Sequence, residues 1–511
     1  MIIFTIYFLV ICVLIYKASF FGIFKDDVLN SKFFLTVFLI KSSALVAFYL
    51  IYTKLYGGIF YLDSGNFYRD SKVIHDIAKS NFGEFIKLMF GFQDDSEGSY
   101  IFRNFLEPTT TWDKTPGGFF YNDARPLLRF HALIHFISFG NYFVHALFSC
   151  LLSFIGINWV YKTFKNLFKD KEIYFFLIWI LFPGVWFWTA GILKEGPALF
   201  LIGLVLVSCK RVILDKNSSV KNLIMFFVGI VMCVLYKQYL MIPLCVITLL
   251  FFSIVGTSKK AIVTKFLIAF LGIFFIGNWS MKELFQKDIV TVLSQRQRDF
   301  LDVSTGGIFL ASPDRFVRVP YDYKLVRIDS SKKEIRASIK FGAAYWYNEN
   351  THIKDTIFVK SNLDTISNYA LTYVIPKSYS TIKPPILDNT WISFLKAIPF
   401  AIYITTAKPF FVDARNVMDL VSSFENLLII LSLLLFLYNG FKLGFKNIWY
   451  IYFLSLTLVV MVLIGITSPN LGAIERYRSL VIPFILLTAL LSSTIKDSEK
   501  LSNFFKNREA K

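Results

Sequence analysis

This chain is poor in charge and in cysteine. Charged residues fill 17% of its 511 positions, against roughly a quarter in an ordinary soluble domain, which excludes a soluble fold as the main architecture. The five cysteines, Cys12, Cys150, Cys209, Cys233 and Cys245, all fall inside apolar runs. None lies in a long polar segment, so no disulfide framework and no zinc spacing is indicated. P-loop, dinucleotide fingerprint, HExxH and GxSxG are all missing, which argues against an ATP-driven pump and a soluble-type hydrolase. Without an internal repeat, the paired broken helices of an inverted-repeat transporter are not signalled.

What is present is apolar and periodic. Hydrophobic residues make up 55% of the chain and the mean hydropathy is +0.56. Runs of about 15–21 apolar residues recur, long enough for a bilayer core of ~30 Å. Their connectors alternate in charge. Lys162, Lys165, Lys169 and Lys171 form one basic stretch; Lys210, Arg211, Lys216 and Lys221 form the next. Lys259, Lys260 and Lys265, then Lys442 and Lys446, then the tail with Lys496, Lys500, Lys506, Arg508 and Lys511, complete the set. Such an excess marks cytoplasmic loops. The net charge of +19 is therefore matched by anionic membrane lipid, and with no recognition motif nucleic acid is not an expected partner.

The expected fold is an all-α polytopic membrane protein of about eleven transmembrane helices, with interfacial helices and a small mixed α/β extracytoplasmic region. Candidate spans lie near 2–16, 33–53, 141–161, 174–190, 197–213, 222–236, 239–256, 261–278, 422–440, 447–467 and 479–495. Residues 1–55 hold two spans, the first retained rather than cleaved as a signal peptide; 56–140 form a first outer loop; 141–279 a bundle of six spans. Residues 280–421 form a large outer loop, 422–495 three further spans, and 496–511 a basic cytoplasmic tail. This places the N-terminus outside and the C-terminus inside an inner (cytoplasmic) membrane.

Inside the first outer loop, apolar spacing from Lys72 to Met89 predicts an amphipathic interfacial helix, and Leu127 to Phe139 a second. In the second loop, alternation around Glu334 to Lys360 predicts a small β-element. Trp391 to Phe411, interrupted by Lys396, Pro399, Lys408 and Pro409, reads as an interfacial or re-entrant segment.

Ionisable residues at span ends are the candidates for chemistry. Asp63, in a stretch that runs to Tyr68, is the leading acid, or else a cap on the helix that follows. Lys194 sits in Pro183–Pro197, where a helix start could face an anion; the plain alternative is a hairpin with Lys194 and Glu195 paired in solvent. Arg476 and Arg478 could clamp a phosphate, or simply anchor a span end. Asp123 and Arg125, with Arg129, add an acid and two bases. His131 and His135 have metal-pair spacing but read better as core or interfacial histidines; Lys41 with Glu425 could form a relay, but an internal structural pair or snorkelling fits better. Arg296, Arg298, Arg315 and Arg318 make the second loop locally basic, a solvated face or an anion contact.

These features resemble the GT-C superfamily, integral membrane glycosyltransferases that use polyprenyl-phosphate-linked sugars, in its divergent bacterial surface-polysaccharide branch. The resemblance rests on Asp63 and Tyr68 in the first large outer loop, two interfacial helices there, the many-span bundle and the large outer segment near the C-terminal end. Pro183–Pro197 and Asn470–Arg478 also look like segments of such proteins. Family members usually carry the acidic loop after the first span and often carry an acidic pair; here the loop follows the second span and Ser64 follows Asp63.

The resemblance implies transfer from a polyprenyl-phosphate lipid donor to a glycan or lipid-linked acceptor. Asp63 would be the base, with Asp70 or Asp123 able to take that role, and Tyr68, Arg125, Lys194, Arg476 and Arg478 would hold substrate or phosphate. Some members use a divalent metal ion, but no ligand set is visible. An O-antigen-type polymerase shares the plan, and a lipid-linked sugar transporter or flippase is the rival from another class.

Overall fold

The computed structural model describes residues 2–17, 22–55, 57–60, 62–92, 99–112, 122–257, 261–312, 315–319, 324–329, 334–338, 343–348, 353–358, 364–366, 370–375, 378, 380–443 and 447–506. Lys259, Lys260, Lys360, Lys446, Arg508 and Lys511, named above, lie outside the described residues, as do the side chains of the strands, Arg315 and Arg318 among them.

The chain is a predominantly helical, multi-pass membrane protein. In chain order the first helices are α1 (Ile2–Tyr16), α2 (Ser31–Leu55), α3 (Leu62–Ser80), α4 (Phe82–Phe90), α5 (Arg125–Ser138), α6 (Tyr142–Phe164), α7 (Glu172–Leu181) and α8 (Pro183–Trp188). There follow α9 (Glu195–Cys209), α10 (Val220–Leu235), α11 (Gln238–Thr257), α12 (Ile262–Phe285) and α13 (Ile289–Thr305). The C-terminal part holds α14 (Trp391–Ala407), α15 (Val417–Leu443), α16 (Trp449–Thr467), α17 (Leu471–Arg478), α18 (Ile482–Ser492) and α19 (Glu499–Phe505). Among the described residues seven helices, α2, α6, α9, α11, α12, α15 and α16, are long and apolar enough to cross a membrane. Five shorter apolar helices, α1, α7, α10, α14 and α18, accompany them.

Between α13 and α14 the backbone forms eight short strands, from Gly307–Ser312 to Ala370–Ile375, in antiparallel pairs. The first strand pairs with both its successor and the last, closing that segment on itself.

Two local departures from the sequence expectation have clear causes. The amphipathic segment begins at Leu62, ten residues earlier than expected, and is split in two. Asn81 accepts from the Glu84 backbone N–H at 3.2 Å and so caps a new helix, α4, instead of continuing α3. The apolar run 174–190 is also divided. Pro183 lacks the N–H a continuing helix needs and biases Phe182 away from helical angles, so α7 stops at Leu181 and α8 starts afresh. Ten residues of helix rise only ~15 Å.

The α7–α8 junction is held from two sides. Lys41, buried inside α2, donates to the Trp186 carbonyl at 2.9 Å and the Val185 carbonyl at 3.4 Å. Glu425 of α15 accepts from the Gly184 N–H. Lys41 and Glu425, expected as a pair, thus do not bond to each other; each holds a different side of the same turn.

One contact sets the frame of the bundle. A Cβ on Gly156 of α6 would collide with the Leu199 backbone of α9, and one on Gly203 would collide with the Gly156 backbone. Only glycine lets the two backbones approach this closely. Gly196 lies against Ser149 in the same register, so α6 and α9 run parallel in close contact. Around them Phe34, Phe154, Tyr161, Phe176, Val205 and Leu206 form part of one large buried core. A smaller cluster of Leu293, Leu387, Ala397, Ala401 and Ile466 ties α13 and α14 to α16.

Candidate functional site

A cavity of about 220 Å³ opens where seven segments meet. Asp63 and Phe67 come from the first turns of α3; Thr111, Asn122 and Asp123 from the segments before α5. Lys194 precedes α9, Lys237 and Tyr239 come from the α10–α11 turn, Arg296 and Phe300 from α13, and Arg476 and Tyr477 from α17. Only folding makes these residues neighbours.

Local sequence explains how the acids are presented. Gly65 lies directly under the Phe60 backbone, where any Cβ would collide, so the chain turns back tightly and launches α3 with Asp63 in its first turn. The nearby helix terminus favours a carboxylate there. Asp123 is placed by Asn122, whose side chain donates to the Thr111 carbonyl at 3.2 Å and accepts from the Ala124 N–H at 2.8 Å.

The charges form two linked sets. Arg476 donates from Nη1 to Asp63 Oδ2 at 2.6 Å and from Nε to Glu195 Oε1 at 2.9 Å. Glu195 accepts from Lys237 as well. Beside them Lys194 donates to Asp123 Oδ1 at 2.5 Å. Three carboxylates (Asp63, Asp123, Glu195) thus meet four cations (Lys194, Lys237, Arg296, Arg476), an excess of one positive charge. Glu195 and Lys237 are fully enclosed, whereas the Asp63 side chain is 52% exposed.

Burial works to raise the Asp63 carboxyl, but the Arg476 guanidinium, with Lys194 and Lys237 beyond it, holds it below the usual carboxylate range. Asp123 is likewise depressed: burial opposes, and Lys194, then Lys237 and Arg296, prevail. Both acids are therefore ionised at neutral pH. Burial pulls the Lys237 ammonium down to about 8, against the pull of Glu195. Arg476, although buried, is driven well above its ordinary value by Glu195 and Asp63.

Aromatic faces complete the walls. Lys237 Nζ stands 4.3 Å from the Tyr477 ring centroid, and the Tyr239 ring lies 5.7 Å from Tyr477. Arg296 packs over Phe300 at 4.5 Å, and Lys194 faces Phe67 at 5.5 Å. Cations beside flat rings give the cavity both positive charge and apolar, polarisable faces.

Of the residues expected at a site, the structure brings together Asp63, Asp123, Lys194 and Arg476. Three others fall elsewhere. Arg478, two residues on from Arg476 in the same helix, points to the opposite side, since residues two apart do not share a face. It donates to the Thr405 carbonyl at 2.6 Å and approaches Glu425 at 3.9 Å. Arg125 stacks over Trp112 at 4.7 Å. The Tyr68 hydroxyl donates to the Gly140 carbonyl at 2.7 Å within a pocket of His135, Tyr142 and His145 rings.

Asp70, the other acid considered, accepts from the backbone N–H groups of Thr110 and Thr111 at 3.0 and 2.6 Å. It fixes the loop that carries Thr111 and does not line the cavity. His131 and His135 sit buried among rings, and among the described residues no group of three His, Cys, Asp or Glu is placed to hold a metal ion. With Asp63 and Asp123 each engaged by a cation, the residues present do not fit a divalent metal, and no step is routed through one.

Glu195, Lys237, Tyr239 and Tyr477 were not selected as site residues from sequence. Lys237 had a usable signal: it is a lone cation in a two-residue turn between two apolar helices. The solvent pairing of Lys194 with Glu195 is overturned, because Lys194 pairs with the half-buried Asp123 and Glu195 with the buried Lys237. Comparison with family models, curated proteins and solved structures finds no match to this chain.

Proposed function

We propose that this protein is a membrane glycosyltransferase that takes a sugar from a polyprenyl-phosphate-linked donor and places it on a glycan or lipid-linked acceptor at the extracytoplasmic face. The observation that carries this reading is the single cavity in which Asp63 and Asp123 stand against Lys194, Lys237, Arg296 and Arg476. In this reading α1, α2, α6, α7–α8, α9, α10, α11, α12, α15, α16 and α18 make eleven crossings, and α14 is re-entrant. The N-terminus lies outside, the C-terminus is cytoplasmic, and the strand segment with α3–α5 belongs to the outer layer of an inner membrane.

Transfer would proceed with inversion. The acceptor oxygen forms a bond to the anomeric carbon as the bond from that carbon to the phosphate oxygen breaks, and the electron pair leaves with the phosphate. The acceptor proton passes to Asp63, whose exposed carboxylate faces the cavity. Phosphate is a good leaving group, so the protein has mainly to offset its charge, a task for Arg476, Lys194 and Arg296. A donor phosphate also competes with Asp63 for Arg476. Relieving that ion pair raises the basicity of Asp63 at the moment a base is needed.

The second reading is an O-antigen-type polymerase, which transfers a whole glycan between lipid pyrophosphates. Arg296 favours it, since a further cation beyond the two ion-paired sets suits a second phosphate. A lipid-linked sugar flippase is the third; Lys41 and Glu425, which it would use as a polar path, are engaged by the α7–α8 turn.

The test is the surface-glycan profile of a deletion strain complemented with wild type or Asp63→Asn at matched membrane levels. Truncation of a glycan that only wild type repairs is the expected result. Full repair by Asp63→Asn removes Asp63 as base, and an unchanged profile on deletion ends the transferase reading. A monosaccharide-phosphate lipid as donor separates it from the polymerase, which needs a lipid-linked oligosaccharide.

A further inference from the structure

A second cavity of about 220 Å³ lies at the other end of α9. Its walls are Lys162 and Lys165 from α6 and the turn after it, Lys210 and Arg211 at the end of α9, and Lys25, Asp26, Asp27 and Asp215 from loops. Glu195 to Leu214 is one helical run of 20 residues, about 30 Å long. The two cavities therefore face opposite sides of a membrane that α9 would cross.

The fold assembles this charge at a cost. Gly156 and Gly203 lock α6 and α9 in parallel register, and the same register sets Lys162 and Lys165 beside Lys210 and Arg211. Lys162 and Lys165 are three residues apart and share a helix face. At Lys210–Leu214 the helix widens into a π turn, an irregularity often kept at binding sites. Five cations and three carboxylates line the space, leaving two positive charges.

The internal pairing is loose. Lys165 reaches Asp26 and Asp27 at 3.5 and 3.2 Å, and Lys210 reaches Asp215 at 3.8 Å. Asp26 is occupied by the backbone N–H groups of Val28 and Leu29 at 2.9 and 3.1 Å. Its charge orders the loop as much as it answers the lysines. Among the described residues, Arg211 Nη1 meets a neutral side-chain oxygen, Asn222 Oδ1 at 3.4 Å, and the Met225 sulfur at 3.9 Å. The side-chain contacts of Lys165, Lys210 and Arg211 to these groups are all longer than a charge-assisted hydrogen bond to a phosphate would be.

We propose that this cavity is a phosphate site, filled by the headgroup of an anionic membrane lipid and gripped by Lys165, Lys210 and Arg211. The proposal is independent of what the cavity at Asp63 does. A ligand here would bridge α6, the end of α9 and the loop before α2, and would stabilise the folded protein increasingly as its concentration exceeds the dissociation constant.

The experiment uses full-length protein in a neutral detergent. The thermal midpoint is followed as phosphatidylglycerol, phosphatidylcholine or inorganic phosphate is added. The expected result is a rise that grows with phosphatidylglycerol concentration and is absent with phosphatidylcholine. Lys165→Gln/Lys210→Gln/Arg211→Gln should raise the lipid concentration needed for a given shift by about tenfold or more, as loss of charge-assisted contacts requires. Lys442→Gln, a cation in another basic connector outside the cavity, should leave it unchanged. An equal rise with inorganic phosphate alone keeps the site and assigns it to free phosphate. No rise with either, a triple variant that responds like wild type, or an equal loss in Lys442→Gln overturns the proposal. Arg211→Lys, which keeps the charge, distinguishes a phosphate contact from a fold defect by retaining most of the response.

Discussion

Arg476 and Arg478 are two residues apart on one helix, and they have opposite surroundings. Arg476 binds two carboxylates at 2.6 and 2.9 Å and borders a cavity. The Arg478 side chain is 1% exposed, donates to a backbone carbonyl, and lies 3.9 Å from the Glu425 carboxylate. The first is a guanidinium that a ligand can reach. The second closes a buried junction between α14, α15 and the α7–α8 turn. Charge and position in sequence are nearly equal, so the difference comes from helix geometry alone.

Substitution breaks this comparison most forcefully at Arg476. Arg476→Ala removes the group that balances Asp63 and, on the proposed reading, the leaving phosphate. Glycan transfer in membranes should fall about 10²–10³-fold, the cost of losing one preorganised charge-stabilising donor. Arg478→Ala should instead destabilise the fold by about 1–3 kcal/mol, because it leaves the buried Thr405 carbonyl without its donor. Activity per folded molecule should stay within a few-fold of wild type. Thermal unfolding in detergent, read alongside transfer rate, separates the two. Equal loss of activity per folded molecule in both variants would erase the distinction.

The α6–α9 contact should be the next most sensitive. Gly203→Ala places a methyl against the Gly156 backbone, and overpacking of this kind costs typically about 1–3 kcal/mol. A lower unfolding midpoint is expected, and both cavities should loosen because α9 carries one at each end. An unaltered midpoint would mean that the helices can part without cost.

Lys237 sharpens the comparison through pH. Its folded value near 8 is lower than the ordinary 10.5, so the folded state holds fewer protons than the unfolded one between those values. Stability from this group is thus smallest below about 8 and grows as pH rises toward 10.5. Activity should run the other way, because neutralising Lys237 above pH 8 strips a cation from the cavity. The pH–rate profile should have an alkaline limb near 8 that Lys237→Arg moves upward, since arginine stays charged. Persistence of that limb in Lys237→Arg would assign it to another group.

Much of this architecture was legible in the chain. Apolar runs located the long helices, because a bilayer demands length and hydropathy that composition records directly. Charged residues at span ends pointed to Asp63, Asp123, Lys194 and Arg476, which do converge. Arg125, Arg478 and Tyr68 looked equally suitable because type and neighbourhood do not reveal which way a side chain turns. The direction of Arg478 depends on α17 being a helix, whereas the sequence segment Ser468–Arg478 reads as a loop. Lys237 and Glu195 find each other only through the packing of α9 against the α10–α11 turn, a contact between residues 42 apart.

Tyr68 supplies the mildest test. Its hydroxyl donates to the Gly140 carbonyl at 2.7 Å, away from the cavity. Tyr68→Phe keeps the ring against His135 and Tyr142 and removes one hydrogen bond, so a loss of about 1 kcal/mol is expected. Transfer should be unchanged. Only the family resemblance groups Tyr68 with Asp63, which lies five residues before it on α3. A drop in transfer without a drop in stability would return Tyr68 to the site.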